Sequence, residues 1–252
     1  MTSPLVIGNW KMNMLASEAC DLASSLVKKP IDGVDVVISP PFTSLYPVSQ
    51  IIKGSKIALA GQNFYFESKG AFTGEVSLEM LRDTGCSYAL IGHSERRQLF
   101  GESNEDVNKK VLHAIKLGVI PVVCVGETLQ QREAGSTLDV IHTQLMEGLA
   151  GLPANSKSLP VVAYEPVWAI GTGVNARPDQ AVEVHKFIRE LLVEKLEISK
   201  KHEARILYGG SVTAENCKEL MSEEEIDGAL VGGSSLKLDS FYAIIKSSLE
   251  SR

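Results

Sequence analysis

Eight short apolar runs, each followed by an amphipathic stretch, recur from one end of this 252-residue chain to the other. The runs are Leu5–Ile7, Val34–Ser39, Lys56–Ala60, Tyr88–Ile91, Ile120–Val125, Val161–Tyr164, Arg205–Tyr208 and Gly228–Val231. They read as near-continuous Val, Ile, Leu and Ala rather than as strict alternation, the pattern of parallel strands covered on both faces. Helical periodicity follows at Ser17–Lys28, Thr43–Ile52, Ser77–Asp83, Asp106–Leu117, Leu138–Leu149, Gln180–Leu196, Ala214–Met221 and Asp239–Leu249. Eight strand–helix units with no low-complexity linker predict an α/β fold, a closed (β/α)8 barrel in a single domain spanning residues 1–252. An open doubly wound sheet stays as the alternative, because periodicity carries no information about closure.

In a barrel of this kind the chemistry sits on the loops that follow the strands. Those loops contribute Asn9-Trp10-Lys11, Gln62–Gly74, Gly92-His93-Ser94-Glu95, Gly126-Glu127, Glu165–Gly173, Gly209-Gly210-Ser211 and Gly232-Gly233. One carboxylate, Glu165, ends an apolar strand and opens a loop with Pro166 at its entry, Gly171 and Gly173 at its exit, and apolar Val167–Ile170 between. A rigid base beside a lid able to close over it suits a reaction that must be kept from water. Of the five histidines, only His93 follows a strand end; His113, His142, His185 and His202 fall in polar helical stretches or in a helix-to-strand connection. Glu165 and His93 together form an acid–base pair for moving a proton next to a carbonyl, and burial strengthens a carboxylate as a base in general. Lys11 sets a cation where an oxyanion or phosphate would lie, and Asn9 beside it offers a hydrogen bond. The turns Gly209-Gly210-Ser211 and Gly232-Gly233-Ser234 have the character of anion cradles, since paired glycines let several backbone N–H groups point at one spot.

Other classes are excluded or weakened. A net charge of −6 argues against nucleic acid or an acidic membrane surface as the main partner. No apolar run is long enough to span a bilayer. Met1-Thr2-Ser3-Pro4 runs straight into the first strand, so no signal peptide is expected, and the widely spaced Cys20, Cys86, Cys124 and Cys217 read as reduced thiols of a cytoplasmic protein. Gly171-Thr-Gly173-Val-Asn-Ala176 matches a dinucleotide pattern, but the strand ends at Tyr164, too early to feed it. No Walker sequence, HxxxH pair or Cys/His cluster is present, so neither a nucleotide nor a metal is implied.

Assembled, the motifs Asn9-Trp-Lys11-Met-Asn13, Gly70-Ala-Phe-Thr-Gly-Glu75, Gly92-His-Ser-Glu-Arg-Arg97, Cys124-Val-Gly-Glu-Thr128, Ala163–Gly173, Leu207-Tyr-Gly-Gly-Ser-Val212 and Leu230-Val-Gly-Gly233 closely resemble the triosephosphate isomerase family, essentially end to end. That family is a familiar example of a carboxylate base, a neutral imidazole and a closing loop. The resemblance implies cofactor-independent interconversion of dihydroxyacetone phosphate and D-glyceraldehyde 3-phosphate through an enediolate, in glycolysis and gluconeogenesis. It implies Glu165 as base, His93 as neutral electrophile, Lys11 with Asn9 as charge stabiliser, and Gly171, Ser211, Gly232 and Gly233 as the phosphate grip. Glu95 matches a supporting carboxylate and Cys124 a buried structural cysteine. A homodimer is implied as well, built through the Gln62–Gly74 loop, whose aromatic tip Phe64-Tyr65-Phe66 would be a poor surface feature unless buried in a partner. Val174 stands where many members of the family carry a basic residue, and Ser234 where alanine is frequent. Two other readings are a Schiff-base aldolase with Lys11 as the amine, in which Glu165 and the apolar lid have no evident purpose, and a non-catalytic barrel kept as a binding module, which the presence of Glu165, His93 and Lys11 together disfavours.

Overall fold

The computed structural model describes residues 3–153, 159–170, 176–197 and 203–250. Each apolar run forms a strand: β1 Leu5–Asn9, β2 Asp35–Ser39, β3 Ile57–Gly61, β4 Tyr88–Ile91, β5 Ile120–Val125, β6 Val161–Tyr164, β7 Ile206–Tyr208 and β8 Gly228–Val231. The strands lie in chain order as a closed barrel, with β1 parallel to β2 on one side and to β8 on the other. Closure settles the choice that periodicity left open.

The absence of polar alternation now has a physical account, since successive residues enter two different buried clusters. Leu5, Ile7, Val37, Ala60, Leu90, Val122, Cys124, Val161, Ala163, Leu207 and Leu230 fill the barrel interior. Val6, Val36, Ile38, Ala89, Ile91, Val123, Val162, Ile206 and Ala229 belong to the larger layer beneath the helices. Neither face of a strand meets water, so neither is polar. Carrying that alternation past the strand ends brings Asn9, Glu165, Gly209 and Gly232 to the inward side at one rim, and all four line a single cavity there.

The helices are α1 Ala16–Val27, α2 Phe42–Ile52, α3 Leu78–Asp83, α4 Ser94–Phe100, α5 Asn104–Leu117, α6 Leu129–Glu133, α7 Thr137–Gly148, α8 Pro178–Leu196, α9 Ala214–Met221 and α10 Leu238–Glu250. Eight lie within about two residues of the periodicity; α4 and α6, of seven and five residues, are additional. Such short helices show little period, although Thr128 and Gln131 form a reciprocal cap that a reader of the sequence could recognise. Ser103 with Asp106 does the same for α5 and starts it two residues before the expected position.

Two expectations are corrected. His185 does not lie in a polar stretch: with Ala181, Val184, Ile188, Arg189 and Leu192 it forms the buried stripe of α8. Its Nδ1–H donates to the Glu225 carbonyl at 3.1 Å and its ring stands edge-on to Tyr164. Arg189 beside it is satisfied by Glu225 and Asp227, each at 2.7 Å. Phe64, expected at an exposed loop tip, is fully buried in its own subunit, while Tyr65 stacks on Phe66. The loop closes on itself through the Tyr65 N–H to the Val76 carbonyl at 2.8 Å. His202 and Val174 lie outside the described residues.

Burial pushes the His185 imidazole down to about 4, because a proton on its unpartnered Nε2 would be a charge in a dry interior. The folded state therefore holds it neutral, while the unfolded chain takes up the proton below its ordinary value of about 6.5. Stability from this group is complete above about 6.5, falls as the pH drops from there towards 4, and is level below, a loss on the order of 3 kcal/mol. Glu225, Asp227 and Arg189 face the same region, so the group is isolated by difference. Urea unfolding of the wild type and of His185→Gln across pH 7 to 4 should give a steeper decline in the wild type; parallel profiles would contradict the assignment.

Candidate active site

The rim cavity encloses about 220 Å³ and is lined by Asn9, Lys11, His93, Glu165, Ile170, Gly209–Val212, Leu230 and Gly232–Ser234. Every described site residue expected from the sequence is there; Gly171 lies outside the described residues, as do Gly173 and most of the rejected dinucleotide match.

Glu165 is 2% exposed. Its Oε2 accepts the Ser94 N–H at 2.8 Å, and Oε1 lies 3.1 Å from His93 Nε2. Its position tolerates little change around it. A Cβ on Gly209 would stand 2.8 Å from Glu165 Cγ, and one on Gly126 would stand 1.7 Å from the Glu165 carbonyl oxygen. These glycines are required by close approach of neighbouring chain, a need the sequence shows only as punctuation.

His93 caps α4. Gly92, at φ 71°, turns the chain out of the strand, and the Glu95 N–H then donates to His93 Nδ1 at 3.2 Å. A ring nitrogen that accepts carries no proton, so the neutral imidazole holds its proton on Nε2, the atom facing Glu165 and the cavity. Ring orientation and tautomer are thus fixed by the start of one helix.

Lys11 has φ 51°, a left-handed conformation that a side-chain-bearing residue adopts at a cost of order 1 kcal/mol or more. The surroundings hold it there. Asn9 Oδ1 accepts the Lys11 N–H at 3.0 Å, and Gln62 Nε2 donates to the Lys11 and Ser39 carbonyls, both at 2.8 Å. The ammonium group meets Glu95 Oε1 at 2.7 Å, which gives Glu95 contacts with both Lys11 and the His93 cap. Asn9 serves as an anchor of the Lys11 backbone as well as a wall of the cavity.

Sequence reasoning placed Glu127 on the rim without giving it a part. It is wholly buried and accepts from the Tyr164 hydroxyl at 3.0 Å, the Trp168 indole at 2.9 Å and Arg132 at 3.2 Å. Trp168 belongs to a single 3-10 turn, Val167–Ala169, separated from Glu165 by Pro166 alone. The entry half of the expected lid is therefore tied to the end of β5 in this conformation. Cys124 is buried as expected; burial, together with the Glu165 charge, holds its thiol well above the ordinary value, which makes it inert. Among the described residues no group of three or more His, Cys, Asp and Glu side chains is placed to hold a metal ion.

A carboxylate and a neutral imidazole in hydrogen-bond contact, a cation beside them and two glycine turns on one small cavity form a set suited to proton transfer on a small anion. Comparison with known proteins points the same way. The triosephosphate isomerase family model matches residues 4–248. A triosephosphate isomerase from Endomicrobium trichonymphae is 52% identical over 248 residues, covering 98% of this chain and 99% of that protein. One from Carboxydothermus hydrogenoformans is 51% identical over 251 residues, covering 99% and 100%, and one from Geotalea uraniireducens is 48% identical over 248. With the closed barrel, the rim site and relatives of equal length at half identity, the chain belongs to the triosephosphate isomerase family.

Proposed function

We propose that this chain interconverts dihydroxyacetone phosphate and D-glyceraldehyde 3-phosphate, without a cofactor, as a step of glycolysis and gluconeogenesis. The contact that carries the reading is the 3.1 Å approach of His93 Nε2 to Glu165 Oε1 within one cavity. A substrate carbonyl entering between them takes over the imidazole N–H and frees the carboxylate to face carbon. Glu165 then removes a proton from C1 of the ketose, the electron pair moves to the C2 oxygen, and an enediolate forms. His93 donates a hydrogen bond to the oxygens on which charge develops and moves protons between them. Lys11 supplies positive charge beside those oxygens. Return of the proton from Glu165 to C2 gives the aldose, and both bonds broken in the first half are balanced in the second.

The phosphate is assigned to the turns at Ser211, Gly232 and Gly233, with Gly171 completing the grip and Asn9 lining the same cavity. Glycines there let the chain present amide N–H groups to an anion. The test is an assay of purified protein for interconversion of the two triose phosphates in the presence of a chelator; absence of turnover would refute the reading.

Assembly and location belong to the same proposal: a cytoplasmic homodimer in which the Gln62–Gly74 loop reaches the partner's site. No described helix is long and apolar enough to cross a membrane. With Phe64 in its own core, the exposed ring of that loop is Phe72, 40% accessible, and a second exposed apolar set comprises Met12, Leu15, Phe42 and Tyr46. Charge on Phe72 would oppose burial of this surface by a partner. Phe72→Asp should move the sedimentation coefficient from dimer towards monomer and lower activity with it; a monomer of full activity would show that the loop does not support the partner's site.

A further inference from the structure

The turns after β7 and β8 face the same cavity, yet pairing between those strands stops at Leu207↔Gly228 and Tyr208↔Ala229. Beyond that point no ladder hydrogen bond fixes one turn against the other. A side chain does so instead. Ser234 Oγ donates to the Val212 carbonyl at 2.8 Å, across 22 residues of sequence. The same peptide is held at its other end, where the Thr213 N–H donates to Asn216 Oδ1 at 2.8 Å. The preceding carbonyl, that of Ser211, accepts from Asn216 Nδ2 at 2.9 Å. Ser234 is in turn anchored from α10, since Ser240 Oγ donates to its carbonyl at 2.7 Å.

From this bridge we infer that Ser234 is a positioning residue for the phosphate end of the site, coupling the β8 turn to the β7 turn so that both present their amides in one fixed geometry. The inference rests on the isomerase reading for the identity of the substrate and of its anionic group, a phosphate monoester. Hydrogen bonds to an anion weaken steeply with angle, so backbone N–H groups grip it only while their peptide planes are held. Ser234 touches no reacting atom in this account. It acts through the Val212–Thr213 peptide, and in this chain the bridge is made by its hydroxyl: alanine lacks the donor, whereas threonine keeps it.

Loss of one neutral hydrogen bond from a preorganised cradle corresponds to about fivefold in affinity. Ser234→Ala should raise KM for both triose phosphates, and the inhibition constant of inorganic phosphate, each by about fivefold, with kcat within twofold of the wild type. Ser234→Thr should restore both constants. A merely structural serine would instead lower the melting temperature and kcat and leave the phosphate constants in place. Unchanged KM and phosphate inhibition in Ser234→Ala, or a defect that threonine does not rescue, would overturn the inference. Calorimetric titration of each protein with inorganic phosphate separates this result from the isomerase reading. If the wild type binds phosphate but does not turn over triose phosphates, the isomerase reading fails; a weaker phosphate constant in Ser234→Ala still supports the bridge, and an equal one sinks it.

Discussion

Glu165→Asp should lower kcat on the order of 100-fold while changing KM only a few-fold. The carboxylate is aimed by the strand that carries it, as the inward position after Val161 and Ala163, and is clamped by the Ser94 N–H and His93 Nε2. Removing one methylene retains the charge and draws the oxygens back by roughly an ångström, a misplacement that can cost about 10²-fold. The part of the cavity to which the phosphate is assigned is untouched, so on the proposed reading ground-state binding survives and the loss falls on the chemical step. Gly209 packs against Glu165 Cγ, so the backbone has little room to follow the shorter side chain. Steady-state kinetics in both directions measure the effect. Near wild-type turnover would remove Glu165 from the mechanism.

His93→Asn should cost more still, roughly 10² to 10⁴-fold in kcat, the range for losing a positioned general acid–base group. Asparagine is chosen because it separates two roles of this residue. Its side-chain oxygen can accept the Glu95 N–H, as His93 Nδ1 does, and asparagine is among the best helix caps. The start of α4 is then preserved, and the melting temperature should stay close to that of the wild type. What disappears is the Nε2–H that faces Glu165 and, on the proposed reading, the substrate oxygens. A stable variant with intact kcat would reduce His93 to a cap.

The strands were legible because each is buried on both faces, which writes them as unbroken apolar runs. The alternation between barrel interior and helix layer was not legible, since Leu5 and Val6 are equally apolar though they face opposite ways. Closure depends on pairing β1 with β8, more than 220 residues apart in sequence, and no local pattern encodes it. Short α4 and α6 escaped the periodicity for want of turns. His185 was misjudged because a polar residue on a buried stripe is indistinguishable, in sequence, from one on a solvated stripe; its partner Glu225 lies 40 residues away. Phe64 was misjudged for the complementary reason, as a loop residue that folds back into the core. In the site, Lys11, His93 and Glu165 could be found because their places after strands are local facts. The hold of Glu127 on Trp168, 41 residues apart, and of Ser234 on Val212 exist only in three dimensions.

The central claim is that a carboxylate moves a proton between two carbons through an enediolate. It is tested most directly by turnover in deuterium oxide. Dihydroxyacetone phosphate is incubated with the purified protein and a chelator, and the glyceraldehyde 3-phosphate formed is read by proton NMR. A proton held on Glu165 during the lifetime of the enediolate exchanges with solvent, so most of the product should carry deuterium at C2. Product formed with hydrogen retained throughout at C2 would show that the transferred proton never meets solvent between the two carbons and would contradict the account, as would the absence of product.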